Sequence, residues 1–305
     1  MPDPSARAAD SADPIIETLA RIARLGPDYD LTVAPDGDSW LAADEIISGG
    51  PAFDRVIERL AAGPNDPAAR RAIGSRFVLL YLRFLWPIVA AFSLERRVPD
   101  AAAENLLVRL DGDGWPEAFA LREPRFAVLE SDPASEVADV VASEEPELLA
   151  WLQTRTIESN AAPLIETVRK RLFTSGTALW GNVAAAFADP LLWHIQQIAP
   201  ESSSVVRDAE ALLAAPAGRL GDQIRLIRLE DADGSWTVHA RRTCCLRWCL
   251  PGEERCDDCP LMREPQADAF LRARLAEAIA RGERLRRELA LATSIDRRSR
   301  DAGAA

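Results

Sequence analysis

All five cysteines of this 305-residue chain fall between positions 244 and 259. The stretch reads Thr243-Cys244-Cys245-Leu246-Arg247-Trp248-Cys249-Leu250-Pro251-Gly252-Glu253-Glu254-Arg255-Cys256-Asp257-Asp258-Cys259-Pro260. Random placement would scatter the thiols, so this concentration points to something that thiolates hold. The pattern is a vicinal pair, a ten-residue gap containing Cys249, and a Cys-x-x-Cys pair. Such a pair suits one tetrahedral centre, either zinc or one iron of a cluster. Adjacent side chains of an extended segment point to opposite faces, so joint ligation by Cys244 and Cys245 demands a local kink. Pro251-Gly252 supplies the turn that brings the second pair back.

Three readings compete for these thiols. Disulfides are disfavoured by the odd cysteine count and the lack of a signal peptide, which indicate a reducing compartment. A structural four-cysteine zinc site is common, but zinc ribbons carry two separated Cys-x-x-Cys knuckles and here the first is missing. An iron–sulfur cluster is the third, although neither the bacterial [4Fe–4S] run nor the plant-type ferredoxin spacing is present. Taken alone, the residues reach a metal centre on four thiolates.

The string Cys244-Cys245-x10-Cys256-x2-Cys259-Pro260 resembles the C-terminal signature of the FhuF family of ferric-siderophore reductases. The stretch Ser175-Gly176-Thr177-Ala178-Leu179-Trp180-Gly181-Asn182-Val183-Ala184 resembles the surroundings of a Gly-Asn pair in the middle of such proteins. The resemblance implies a [2Fe–2S] cluster on Cys244, Cys245, Cys256 and Cys259. It also implies a cytoplasmic enzyme that passes one electron to siderophore-bound Fe(III), with hydroxamate siderophores favoured. Two features depart from the pattern: Cys249 is an extra thiol and a substitute ligand, and the chain runs on well past Cys259. Rival readings are a non-catalytic zinc-binding scaffold and an iron–sulfur redox sensor.

No Gly-x-Gly-x-x-Gly fingerprint follows a strand, so an electron must come from outside, from a ferredoxin or a flavin or NAD(P)H reductase. The net charge of −12 excludes the basic face that nucleic acid requires. Lys170 is the one lysine, in a context that fits neither a P-loop nor a Schiff base. His194 and His239 are the only histidines, which rules out a three-histidine zinc site.

The expected fold is α+β and helix-rich, with two hairpins in a small antiparallel sheet and a C-terminal iron–sulfur segment. Residues 1–12 are polar and expected to be disordered. A helical and hairpin region should cover 13–130, with helices at 14–25 and 51–62. The apolar run 77–92 is shorter than a bilayer requires and contains Arg83 and Pro87. It should be a core helix kinked near Pro87. A hairpin should join 105–110 to 117–121 across Asp111-Gly112-Asp113-Gly114. A mainly helical region spans 131–222, opening on an acidic linker or solvated loop at 131–147 and broken at Pro163, Ser175-Gly176, Pro190 and Pro200. The segment 223–262 combines a second hairpin with the cysteines. An amphipathic helix, opened by Pro265, fills 263–293, and 294–305 reads as a disordered tail.

Trp180, Asn182, His239 and Arg242 are candidate substrate contacts. An indole offers a face to a bulky ligand, and an amide can bond its oxygens. His194 lies in an apolar neighbourhood and reads as a packed structural histidine. Asp257 and Asp258 read as solvated carboxylates that would lower a nearby cluster's potential.

Overall fold

The computed structural model describes residues 13–37, 39–61, 66–199, 204–214, 220–231, 234–256 and 258–303. The polar segment 1–12 lies outside them. Helix α1 (Pro14–Ala23) begins as its sequence predicts, with Asp13 accepting from the Ile15 N–H at 3.0 Å and Pro14 opening the first turn. Its Ile15, Leu19 and Ile22 are buried. Two short strands, β1 (Thr32–Val33) and β2 (Trp40–Ala42), lead into α2 (Ala43–Ile47) and α3 (Pro51–Ala61).

The apolar centre is α4 (Pro67–Tyr81), a 3-10 turn at Leu82–Phe84, and α5 (Leu85–Glu95). This run is long and apolar enough to cross a membrane, yet 72% of its most apolar window is buried inside the protein. Helices and strands of the same chain pack around it. The break falls at Leu82–Phe84 rather than at Pro87. A proline ring collides with the carbonyl four residues earlier, so the distortion appears in the preceding turn.

Next come β3 (Arg97–Pro99), β4 (Leu106–Leu110), β5 (Pro116–Leu121), β6 (Phe126–Leu129) and β7 (Val140–Ala142). The β4–β5 hairpin is present, with Leu107 opposite Ala120 and an irregularity after Arg109. It belongs to a four-stranded sheet of order β1-β5-β4-β2, while β3-β6-β7 forms a second sheet. Beside the antiparallel hairpin, β1 pairs β5 and β7 pairs β6 in parallel. The acidic stretch 131–147 is no linker. It contains β7, and Asp132 is ion-paired to Arg97 at 2.9 Å.

The helical region comprises α6 (Glu145–Gln153), α7 (Ala162–Leu172), α8 (Gly176–Pro190), α9 (Gln196–Ile198) and α10 (Ser204–Leu213). The break at Ser175-Gly176 is real, and Phe173 ends α7 at a left-handed φ of 56°. Pro163 and Pro190 do not terminate helix. π-helical stretches at Thr154–Ala161 and Leu191–Ile195 adjoin them, and the wider turn absorbs the missing N–H and the ring. Pro200 lies outside the described residues.

The second hairpin is β8 (Ile224–Asp231) with β9 (Gly234–Arg241), in full antiparallel register. The final helix is α11 (Gln266–Gly303). The tail expected from Ser294 is therefore helical in its backbone as far as Gly303; no proline or interior glycine interrupts it after Gly282. A Cβ at Gly282 would lie 2.6 Å from the Gln197 side chain and 2.8 Å from its carbonyl, so glycine allows α11 to cross α9. Trp236, Val238 and Leu229 of the hairpin form a small core with Trp193, Leu271, Leu275 and Ile279. The hairpin's other face meets α8, so both faces are covered.

Candidate metal centre

Strand β9 delivers the chain to the cysteines, and α8 fixes where it ends. A Cβ on Gly181 would stand 1.9 Å from Thr243 Oγ1, so only glycine lets the residue before Cys244 sit on this helix. The next residue of α8, Asn182, has no exposed surface. Its amide donates to Ser75 O at 2.9 Å and Ser75 Oγ at 3.0 Å, and its Oδ1 accepts from Arg241 at 2.8 Å. The Gly-Asn pair is thus the seat of the cysteine segment. The Asn182 side chain, expected at the substrate, is buried and committed to Ser75 and Arg241. Trp180 packs half-buried against the main core.

The kink that the vicinal thiols demanded is at Leu246, whose φ of 62° is left-handed. Its N–H points at Cys244 Sγ, 3.4 Å away. Beyond the 3-10 turn Arg247–Cys249, Gly252 (φ 75°) reverses the chain, and Cys245 Sγ comes to 3.6 Å from Cys256 Sγ. Two thiolates on one tetrahedral metal at about 2.3 Å stand about 3.8 Å apart, so this pair has nearly the spacing of a shared metal. Cys259 N–H donates to Cys256 O at 3.1 Å, closing the Cys-x-x-Cys turn. Glu253 ties the loop down, accepting from Arg247 at 2.6 Å and from Arg76 of α4 at 2.8 Å. Among the described residues no three His, Cys, Asp or Glu side chains converge on a single point. The four thiols of the motif are drawn into one loop, and Cys249 shares it, half-buried.

Arg241 is the functional neighbour that sequence reasoning missed. Its side chain is 5% exposed, and its Nε lies 3.2 Å from Asp258 Oδ2. Asp258 is buried rather than solvated, because this guanidinium holds it; Asp257 lies outside the described residues. The hydrogen bond with Cys256 and the Arg241 charge bring the Cys245 thiol down to about 6, against the pull of burial. Cys256 is pushed up by sharing with Cys245 and by burial. One thiolate of the pair therefore forms readily, which is the state a metal takes. Burial raises Cys259 and Cys249.

His239 also sits elsewhere than expected. It is fully buried on the α8 side of β9, with Nε2 2.9 Å from Asp189 Oδ1. Asp189 binds Arg274 of α11 at 2.8 Å as well. Burial works to raise this carboxyl, but Arg274, His239 and Arg241 hold it below the usual carboxylate range. His194 is the packed histidine the sequence suggested, 4.8 Å from the Trp86 ring, and burial lowers it to about 4. Arg242 alone of the four candidate contacts is exposed beside the cysteines. It lines a half-open cleft of about 380 Å³ together with Arg225, Arg241, Asp258, Cys259 and Leu271.

The fold thus sets a loop that carries the motif's four thiols beside an arginine-lined cleft on a helical scaffold. Comparison makes the class specific. The family model described as ferric iron reductase FhuF-like transporter matches residues 75–234, and the FhuF 2Fe-2S C-terminal domain matches 241–261. The chain belongs to the FhuF family. No curated protein matches it. Among solved structures, aerobactin synthetase IucA from Klebsiella pneumoniae is 16% identical over 50% of this chain and 29% of that one, with a TM-score of 0.40. Aerobactin synthetase IucC from the same organism gives 12%, 57%, 31% and 0.43 in the same order. The petrobactin biosynthesis protein AsbB from Bacillus anthracis gives 8%, 53%, 30% and 0.35. The matched region spans under a third of each of those chains, and likeness at this level carries no function.

The cofactor of this family domain is a [2Fe–2S] cluster, and the residues fit it. The donors are thiols, one pair already stands at metal-sharing distance, and a buried guanidinium offsets the thiolate charge. A [2Fe–2S] group takes four cysteines, two to each iron, so it asks for pairs rather than a single four-fold cage. The zinc reading gives way to the cluster.

Proposed function

We propose that the chain is a ferric-siderophore reductase, with Cys244, Cys245, Cys256 and Cys259 as ligands of its [2Fe–2S] cluster. The cluster, when bound, supplies one electron at a time. The observation that carries the reading is that Cys259 forms part of the wall of the cleft. Cys259 is itself only 3% exposed, so a chelate resting there lies beside the residue of a cluster ligand while the thiol stays covered. Arg241 and Asn182 hold the thiol segment in place, Glu253 anchors its turn, and Arg242 faces the chelate. Hydroxamate and catecholate oxygens are hard donors that favour Fe(III), so Fe(II) is held far less tightly and reduction becomes release. The electron comes from a ferredoxin or from a flavin or NAD(P)H reductase, and the setting is cytoplasmic.

The test begins with protein purified without air. Two irons and two acid-labile sulfides per chain, with visible bands that bleach on reduction, are expected. Adding a ferric siderophore to the reduced protein should restore the bands and release one Fe(II) for each cluster reoxidised. Bands that stay bleached while the chelate stays ferric sink the reductase reading.

A further inference from the structure

The chain that leaves β9 keeps the strand's alternation against α8 until it reaches the thiols. His239 meets Asp189 of that helix, Arg241 meets Asn182, and Thr243 meets Gly181. The helix positions fall as the strand positions rise, so the segment runs antiparallel to α8. Cys245 is the next residue at this spacing, and it is 5% exposed. Three of these four side chains have polar partners. His239 has the Asp189 carboxylate, Arg241 has the Asn182 oxygen and Asp258, and Cys245 has the Cys256 thiol.

The Thr243 hydroxyl has none, although its oxygen is buried. Among the described residues of 241–263 it is the one buried side-chain nitrogen or oxygen left without a hydrogen bond. Shape does not account for it. Valine would fill the same space beside Gly181 and leave no hydroxyl to satisfy. The neighbouring sulfurs already collect donors from the backbone. The Leu246 N–H points at Cys244 Sγ from 3.4 Å, the Arg247 N–H serves Cys245, and the Leu261 N–H serves Cys259. Such bonds to the sulfurs of an iron–sulfur group favour its reduced, more negative state. A hydroxyl turns its proton toward whichever acceptor is offered.

We propose that Thr243 sets the reduction potential, its hydroxyl donating a hydrogen bond to a sulfur at the Cys244–Cys245 end of the [2Fe–2S] group. Gly181 then does more than let the segment sit on α8: it leaves room for the oxygen that carries this proton. The role rests on the ligand set proposed above and not on the reduction of a chelate.

Spectroelectrochemical titration of the cluster-loaded protein, with no chelate present, tests it. Thr243→Val keeps the shape and loses the proton. It should shift the equilibrium with a one-electron mediator about tenfold toward the oxidised form, about 59 mV, with iron and sulfide content unchanged. Thr243→Ser keeps the hydroxyl and should stay within about twofold of wild type. Resonance Raman spectra give a second readout. The Fe–S stretching bands should move on transfer to deuterium oxide by more in wild type and Thr243→Ser than in Thr243→Val, because the backbone donors are common to all three. Thr243→Ala empties the contact with Gly181 instead of filling it with a methyl, and it should show both changes as well. A potential within about twofold of wild type in Thr243→Val and Thr243→Ala overturns the proposal, and so does an undiminished deuterium shift in them. A protein that gives these responses but reduces no ferric chelate fails only as a reductase. One that reduces chelates while its potential ignores Thr243 fails only here.

Discussion

Around α4, α5 and α8 the buried groups are almost all apolar, with Phe77, Leu85, Ile88 and Val183 wholly enclosed. Between β9 and the cysteines the buried groups are Asn182, His239, Arg241 and Asp258. The first region is held by non-directional burial, in which each side chain touches many others and no single partner is indispensable. The second is held by paired polar groups, each of which becomes a liability when its partner goes. The apolar region is a platform. The cysteine segment is fastened to it at named points, and its ligand thiols complete the fastening only when metal is bound.

The sharpest break in this comparison is removal of a ligand. Cys245→Ser should abolish cluster iron and sulfide and raise hydrogen exchange over residues 241–263, while 67–95 keep their protection. Cys249→Ser should retain the full metal content. A reversed result would mean that a different four thiols ligate.

Next in size is Arg241→Gln, which leaves Asp258 buried without its charge partner and should cost about 3–5 kcal/mol in denaturant unfolding. Loss of a positive charge beside the thiolates should also lower the cluster's reduction potential in a spectroelectrochemical titration. Arg241→Lys, which keeps the charge without the fork, should hold the potential nearer to wild type. A potential unmoved by either change would limit Arg241 to positioning.

Gly181→Ala should cost about 1–3 kcal/mol, because the new methyl meets Thr243 Oγ1. Adding Thr243→Ala removes that oxygen and should restore both stability and cluster loading. Rescue by this second change ties the effect to the contact between α8 and the cysteine segment rather than to the helix itself.

The last effect is on acid stability, and it separates the two regions by pH. His194 is lowered from an ordinary 6.5 to about 4, so the unfolded chain binds its proton first. Its neutral packing is fully favourable above about pH 6.5 and is lost as pH falls from there to about 4. Asp189, held below the usual carboxylate range, keeps its contribution above that range and loses it only in stronger acid. Thermal midpoints measured against pH should fall in two stages, and His194→Gln should flatten the first.

Much of the scaffold was legible from local signals. Asp13-Pro14, Gly26-Pro27 and the two Asp-Gly turns act through backbone chemistry that no distant contact alters. Pairings such as β7 with β6 were not legible. A three-residue strand in an acidic stretch has too few alternations to declare itself, and a parallel partner is chosen by the sheet already formed. Pro163 and Pro190 misled for a related reason: neighbouring packing supports wide π turns that an isolated helix would not keep.

At the site, the cysteine spacing by itself determined that a metal centre is held, and Pro251-Gly252 determined the return of the chain. Tertiary structure alone decided its surroundings. In β9 Val238 and Ala240 alternate with His239 and Arg241, but alternation names an inner face only when one face is wet, and here α8 and α11 cover both. Asp258 looked solvated because its partner is seventeen residues upstream, brought close only by the turn. Short-range chemistry wrote the cluster of thiols into the sequence. The charges that attend them depend on which surfaces meet.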